Sequence, residues 1–221
     1  MECGMSSFLR AGLLSIAGVV VILSAALQPP AHACAFDGGA SVGLFGSGFK
    51  TKYPKSSEVY FATIDAIDQG VLPRSEFEAV VPGPAGYWRA AGRLKSIQQR
   101  LSSVTEPESR PGRAISIVFI ESDLWARLER EPQGFDLVLH TPGAREGDVV
   151  VVTTEGAVAA IMDGRLSADV AFERDLVAID SDAASRALVQ KLLMTAFESA
   201  PNASPTADGR AAPMRFFGPR R

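Results

Sequence analysis

The sequence predicts an α+β protein, with a helical N-terminal part followed by a small mixed sheet packed against C-terminal helices. Three observations predict it. Apolar residues recur at helical spacing between residues 56 and 104. Two β-branched runs, "AISIVFI" and "DVVVVT", come after a proline-rich break. The amphipathic pattern "SDAASRALVQKLLMTAF" then ends the patterned region. With 221 residues, 47% of them hydrophobic and 21% charged, the chain is long enough to bury a core.

The N-terminus reads as an address. Arg10 precedes the uncharged run "AGLLSIAGVVVILSAAL", and "QPPAHAC" follows with small residues at Ala31 and Ala33. These are the parts of a secretory signal peptide, so residues 1–33 are expected to leave and the mature protein to be periplasmic or secreted. The apolar run is shorter than the roughly 20 residues of a comfortable membrane span. Cleavage after Ala33 makes Cys34 the first mature residue and a candidate for lipidation, although Ala31 and His32 depart from a bacterial lipoprotein box. Cys3 leaves with the leader, so the mature chain has one thiol and no internal disulfide.

Residues 34–55 read as a flexible Gly-rich lead. Within them "GLFGSGFKT" imitates a phosphate loop, but Phe49 stands between Gly48 and Lys50, which moves the lysine off the phosphate. Pro54 further disfavours helix at Tyr53, where the phosphate loop needs one.

Residues 56–104 form the helical part. A first helix is expected with Tyr60, Ile64, Ile67 and Val71 on its stripe, Ser56 or Ser57 as cap and Gly70 as stop. A second begins near Pro84 and carries Ala90, Leu94, Ile97 and Leu101 inward, leaving Arg89, Arg93, Lys95 and Arg100 on a solvated face. Residues 105–113, which include "TEPESRPGR", read as a linker.

Residues 114–199 form the α+β domain. "AISIVFI" is a buried strand, and "SDLWARLER" reads as a short helix capped by Ser122 or Asp123. "FDLVLHT" and "DVVVVT" read as a hairpin across the turn residues Pro142, Gly143, Glu146 and Gly147. A helix "TEGAVAAIMDG", a short helical turn capped by Ser167, a strand "LVAI" and the final helix, capped by Ser181 or Asp182, complete it. Residues 200–221 read as a disordered basic tail. Arg210, Arg215, Arg220 and Arg221 against Asp208 make it a candidate docking peptide for a protein partner or an anionic membrane.

Several chemistries are disfavoured. A net charge of -3 offers nucleic acid no general attraction. Once His32 leaves, His140 is the only histidine, so no ordinary zinc, copper or iron site is expected and no cofactor is implied. Asp136 lies about 13 Å from His140 along a strand and cannot orient its ring. Cys34 at a mobile terminus has no scaffold for nucleophilic catalysis. Glu121, Asp123, Glu129 and Glu131 crowd one region but form no calcium loop, and read as solvated charges. No catalytic residue is expected, and the protein is read as non-enzymatic.

Residues 147–197 run strand, helix, short helix, strand, long helix, with "GDVVVVTTEGAVAAIMDGRLSADVAFERDLVAIDSD" including a Gly-Arg-Leu break at residues 164–166. This segment resembles the C-terminal half of sterol-carrier-protein-type lipid-binding domains. Asp175 and Ser181-Asp182 stand where that family has Gly and Gly-Asp. The resemblance implies an apolar tunnel for a lipid or a quinone-like molecule, lined by Val150, Val152, Ile161, Met162, Phe172, Leu193 and Phe197. The expectation is therefore an exported, non-enzymatic protein binding an apolar small molecule. The alternative is a periplasmic interaction or assembly protein that docks on a membrane complex or a secreted enzyme.

Overall fold

The computed structural model describes residues 53–78, 80–105 and 111–198. The readings made for residues 1–52, Cys34 and the leader among them, and for the tail from residue 199 lie outside the described residues.

Helix α1 (Ser56–Asp68) is followed by a 3-10 turn at Arg74–Glu76 and by α2 (Gly83–Val104). Strands β1 (Ile115–Phe119), β2 (Leu124–Glu131), β3 (Gly134–Leu139) and β4 (Val149–Thr153) come next. Helices α3 (Glu155–Met162) and α4 (Ala168–Glu173), strand β5 (Val177–Asp180) and helix α5 (Ala183–Glu198) complete the order. The fold is α+β, with helices at both ends and a five-stranded mixed sheet between them.

The sheet order is β3-β2-β1-β4-β5, with β1 and β4 parallel and every other neighbouring pair antiparallel. This arrangement corrects two expectations. "LWARLERE" is strand β2, pairing with β1 from Ile115↔Leu128 to Phe119↔Leu124. Its helix-forming residues yield to tertiary pairing, because Leu124, Ala126 and Leu128 alternate inward as well as they would on a helix. Ser122 and Asp123 lie in the turn between the strands, Asp123 at φ 51. The second correction is that β3 and β4 are no hairpin. β3 pairs with β2, while β4 runs to the far side of β1.

Side chains alternate across a strand, so register separates the two faces of the sheet. Val118, Trp125, Val150, Val152, Ala178 and Asp180 share one face. Tyr53, just ahead of α1, lies edge-on to Trp125 at 5.4 Å and donates its hydroxyl to Asp180 Oδ2 at 2.9 Å. With α1 packed on β4, that places α1 over this valine face. Burial and its bond to the Asp180 carboxylate both push the Tyr53 phenol above its ordinary range. The opposite face carries Ile115, Ile117, Leu128, Phe135, Val149 and Val151. Helix α2 packs on β3 and against α5, which itself reaches β4 and β5, so these two helices cover that second face. β1 and β4, covered on both sides, are buried at every position, as central strands should be.

The stripe of α1 differs from expectation. Val59, Thr63, Ala66 and Ile67 face inward, whereas Tyr60, Ile64 and Val71 are only half-buried. Small residues let the helix lie close to the valines beneath it. Its N-cap is Lys55 in a left-handed conformation, without a side-chain bond from Ser56 or Ser57. At the sheet edge, α2 shields β3: Ser102 Oγ accepts the Phe135 N–H at 3.1 Å, and Gln98 Nε2 donates to the Phe135 carbonyl at 2.5 Å. An edge strand so occupied is a poor template for further pairing.

Candidate functional site

The densest polar cluster inside the fold surrounds the start of α3. Thr154 is its N-cap and accepts the Ala157 N–H at 3.1 Å, while the α3 N-terminus presents further N–H groups to the interior. Glu121, just past β1, answers two of them. Its Oε1 accepts the N–H of Glu155 and, at 3.4 Å, that of Gly156. Its Oε2 is buried and has no hydrogen-bond partner. The partial positive charge of the helix start suits a carboxylate, but burial acts the other way and more strongly. Loss of water, aided by the nearby Glu155 carboxylate, pushes the Glu121 carboxyl up to about 8.

Glu155 is equally buried, at 4% exposure, yet it is fully engaged. Arg89 of α2 grips it in two bonds, Nε to Oε1 at 2.7 Å and Nη2 to Oε2 at 3.2 Å. Arg93, one turn on, donates Nη1 to Glu155 Oε1 at 2.9 Å and to its carbonyl at 3.1 Å. Bidentate pairing of this kind fixes orientation as well as charge. The bond from Glu155 raises the Arg89 guanidinium further above its ordinary value. The cluster thus ties together three elements: the turn after β1, the start of α3 and the first half of α2.

Sequence reasoning missed this cluster. Glu121 is buried and no solvated charge, which corrects that expectation, whereas Arg89 stays exposed and Arg93 is half-buried, both with their heads tied to Glu155. The available signals were the i, i+4 spacing of the arginines and a glutamate directly continuing the apolar run "ISIVFI". The other three carboxylates of that group are more open. Asp123 accepts the Trp125 indole N–H at 3.2 Å, Glu129 pairs with Arg127, and Glu131 is exposed at the end of β2.

The residues expected to line an apolar tunnel are distributed over both faces. Val150 and Val152 lie on the valine face beneath α1. Leu193 and Phe197 belong to α5, on the other side of the sheet. Ile161 and Met162 end α3, and Phe172 lies on α4. Val150, Val152, Ile161 and Leu193 are buried in the common core, while Met162, Phe172 and Phe197 are half-buried against it. The sheet therefore separates the first pair from the α5 residues.

An open cleft of about 420 Å3 runs along α1, lined by Glu58, Ala62, Asp65, Ala66, Gln69, Arg174 and Asp175. Arg174 Nη1 donates to Gln69 Oε1 at 2.7 Å across it. His140 follows β3 at φ 58 and is exposed, its ring centroid 6.2 Å from that of Tyr87. Among the described residues, no three His, Cys, Asp or Glu side chains are grouped to hold a metal ion, and no helix is long and apolar enough to cross a membrane.

No family model and no curated protein matches the chain. Solved structures overlap it in part. Sterol carrier protein 2 is 16% identical over 48% of this chain and 95% of its own, with a TM-score of 0.35. A UbiJ-SCP2 ubiquinone synthesis protein is 15% identical over 51% of this chain and 99% of its own, with a TM-score of 0.34. A stereoselective inverting sec-alkylsulfatase, Pisa1, from Pseudomonas sp. is 16% identical over 42% of this chain, at a TM-score of 0.33. This chain spans only 14% of that enzyme's length. About half of the chain thus resembles sterol-carrier-type structures, at scores on which no conclusion about function rests.

Proposed function

We propose that the protein is an exported, non-enzymatic binder of an apolar small molecule, lipid-like or quinone-like, which it takes between α1 and the valine face of the sheet. The observation that carries this reading is the cover of that face. Val118, Val150, Val152 and Ala178 form an apolar floor, and the buried residues of α1 are Val59, Ala66 and Ile67 with the small Ser56 and Thr63, while Tyr60, Ala62 and Ile64 pack at its margins. Among the described residues, the side-chain bonds from α1 and its flanks to the rest include Tyr53 to Asp180, Gln69 to Arg174 and Glu76 to Arg165, all at its ends. The open cleft beside α1 gives a ligand an approach along the same helix. Lifting α1 exposes an apolar surface without breaking any strand pairing.

The apolar run and Ala-x-Ala site at residues 11–33 support export, with the periplasm as the preferred address. The lone mature histidine and a single N-terminal thiol support a role without covalent chemistry. The reading is tested by spin-labelled fatty acid titrated into the purified mature protein. Saturable binding that is lost on cross-linking α1 to β4 supports it, and the absence of saturable binding overturns it.

A second reading is favoured by a different observation. Phe61 and Trp88 are 65% and 68% exposed, and large aromatic side chains of this kind are enriched at protein interfaces. On that reading the protein docks on a membrane complex or a secreted enzyme, with the arginine-bearing tail as a second contact. Retention of a partner by wild type, but not by a chain lacking residues 200–221 or by Trp88→Ala, separates it from ligand carriage.

A further inference from the structure

We propose that Glu121 is a proton-binding site that governs how firmly α2 is seated on the start of α3. With the proton bound the cluster is closed, and with the proton gone the first half of α2 loosens. Neither the leader nor the valine face enters this inference, so it stands apart from the ligand reading.

The geometry leaves an ionised Glu121 without support. Oε1 has the two N–H groups of α3, but Oε2 is buried and meets no donor. The charged groups that bear on it from the elements packed around it are Glu155 of α3 and Arg89 of α2, with Arg93 of α2 joined through Glu155. Both arginines are already committed to Glu155. A second carboxylate would therefore be buried beside the first with no cation of its own, an arrangement proteins avoid by protonation or by admitting water. Burial favours the protonated form into the mildly alkaline range. Beyond it, the ionised carboxylate stands against that of Glu155, which Arg89 and Arg93 hold, and a cation or water that turns to Oε2 does so at the expense of the grip of α2 on the start of α3. The rest of α2 is held independently by Leu94, Ile97 and Leu101 in the core and by Ser102 and Gln98 at the β3 edge. The movement is expected in its first three turns, which carry the two arginines and bury only the small Gly86, Ala90 and Ala91.

Hydrogen exchange of the mature protein, followed by mass spectrometry on peptides covering residues 83–93 and corrected for intrinsic rate, tests this at pH 6 and pH 9. In wild type, protection of that segment is expected to fall at least tenfold at the higher pH, and in Glu121→Gln to stay constant. An equal fall in both proteins, or none in wild type, overturns the proposal. Should Glu121→Gln fail to fold, carbon NMR of the wild-type chain decides. A Glu121 carboxyl carbon titrating near pH 8 supports the proposal, and one titrating in the ordinary carboxylate range overturns it.

Discussion

Replacing Glu121 by glutamine should stabilise the protein at neutral pH and flatten its pH dependence. The folded-state value of about 8 lies roughly 3.5 pH units above the ordinary 4.5. At about 1.4 kcal/mol per unit the gap corresponds to roughly 5 kcal/mol. Its sign follows from proton uptake. Between pH 4.5 and 8 the folded chain holds a proton on Glu121 that the unfolded chain has released. Stability therefore falls as pH rises through this window, and levels off above it. At pH 7 about 2.5 of those units are spent, or on the order of 3 kcal/mol. Glutamine keeps the acceptor for the two α3 N–H groups but never ionises, so it removes this loss. Urea unfolding at unit pH steps from 5 to 9, read by tryptophan fluorescence, checks it. The wild-type curve should fall to about pH 8 and then level off while that of Glu121→Gln stays nearly level throughout, the two separating by up to about 3 kcal/mol at pH 7. Parallel curves would refute the reasoning. Asp148 does not blur the window. Burial alone would raise it, but bonds from Arg127, Ser116 and the Arg145 N–H hold it below its usual range. Its contribution is complete above its ordinary value of 3.8 and is lost only as pH falls below that.

Three further outcomes are expected. Glu155→Ala removes the buried carboxylate that exposed Arg89 and half-buried Arg93 share and should cost about 1–3 kcal/mol in chemical denaturation. Gly156→Ala should destabilise by about 1–3 kcal/mol, because an added methyl would collide with the Phe77 ring; a Phe77→Leu partner change should recover part of that loss. Tyr53→Phe removes the hydroxyl bond to Asp180 and should cost about 1 kcal/mol, with faster hydrogen exchange confined to α1.

Elements with one dominant local signal were legible in the sequence. Helix α2 has the inward set Ala90, Leu94, Ile97 and Leu101, and α5 is started by Asp182, whose carboxylate accepts the Ser185 N–H at 3.0 Å. Where two periodicities coincided, the local reading failed. In "LWARLERE" the residues Leu124 and Leu128 fit a helix at i, i+4 and a strand at alternate positions. The choice is made by β1, whose antiparallel partner this segment becomes. Between β3 and β4 the turn residues are present, but the free edge of β1 offers β4 a more buried place than β3 does. No local signal carries that competition. The Glu121 cluster was hidden for a related reason: its members lie 34 residues apart at Glu121 and Glu155, and 66 apart at Arg89 and Glu155, so each reads separately as an ordinary surface charge.

The central claim is that an apolar molecule lies between α1 and the sheet. Native mass spectrometry of the purified protein, before and after organic extraction, tests it most directly. A lipid-sized mass present natively and lost on extraction is the expected result. A bare chain, or a clean multiple of it, that also fails to take up added fatty acid would contradict the claim.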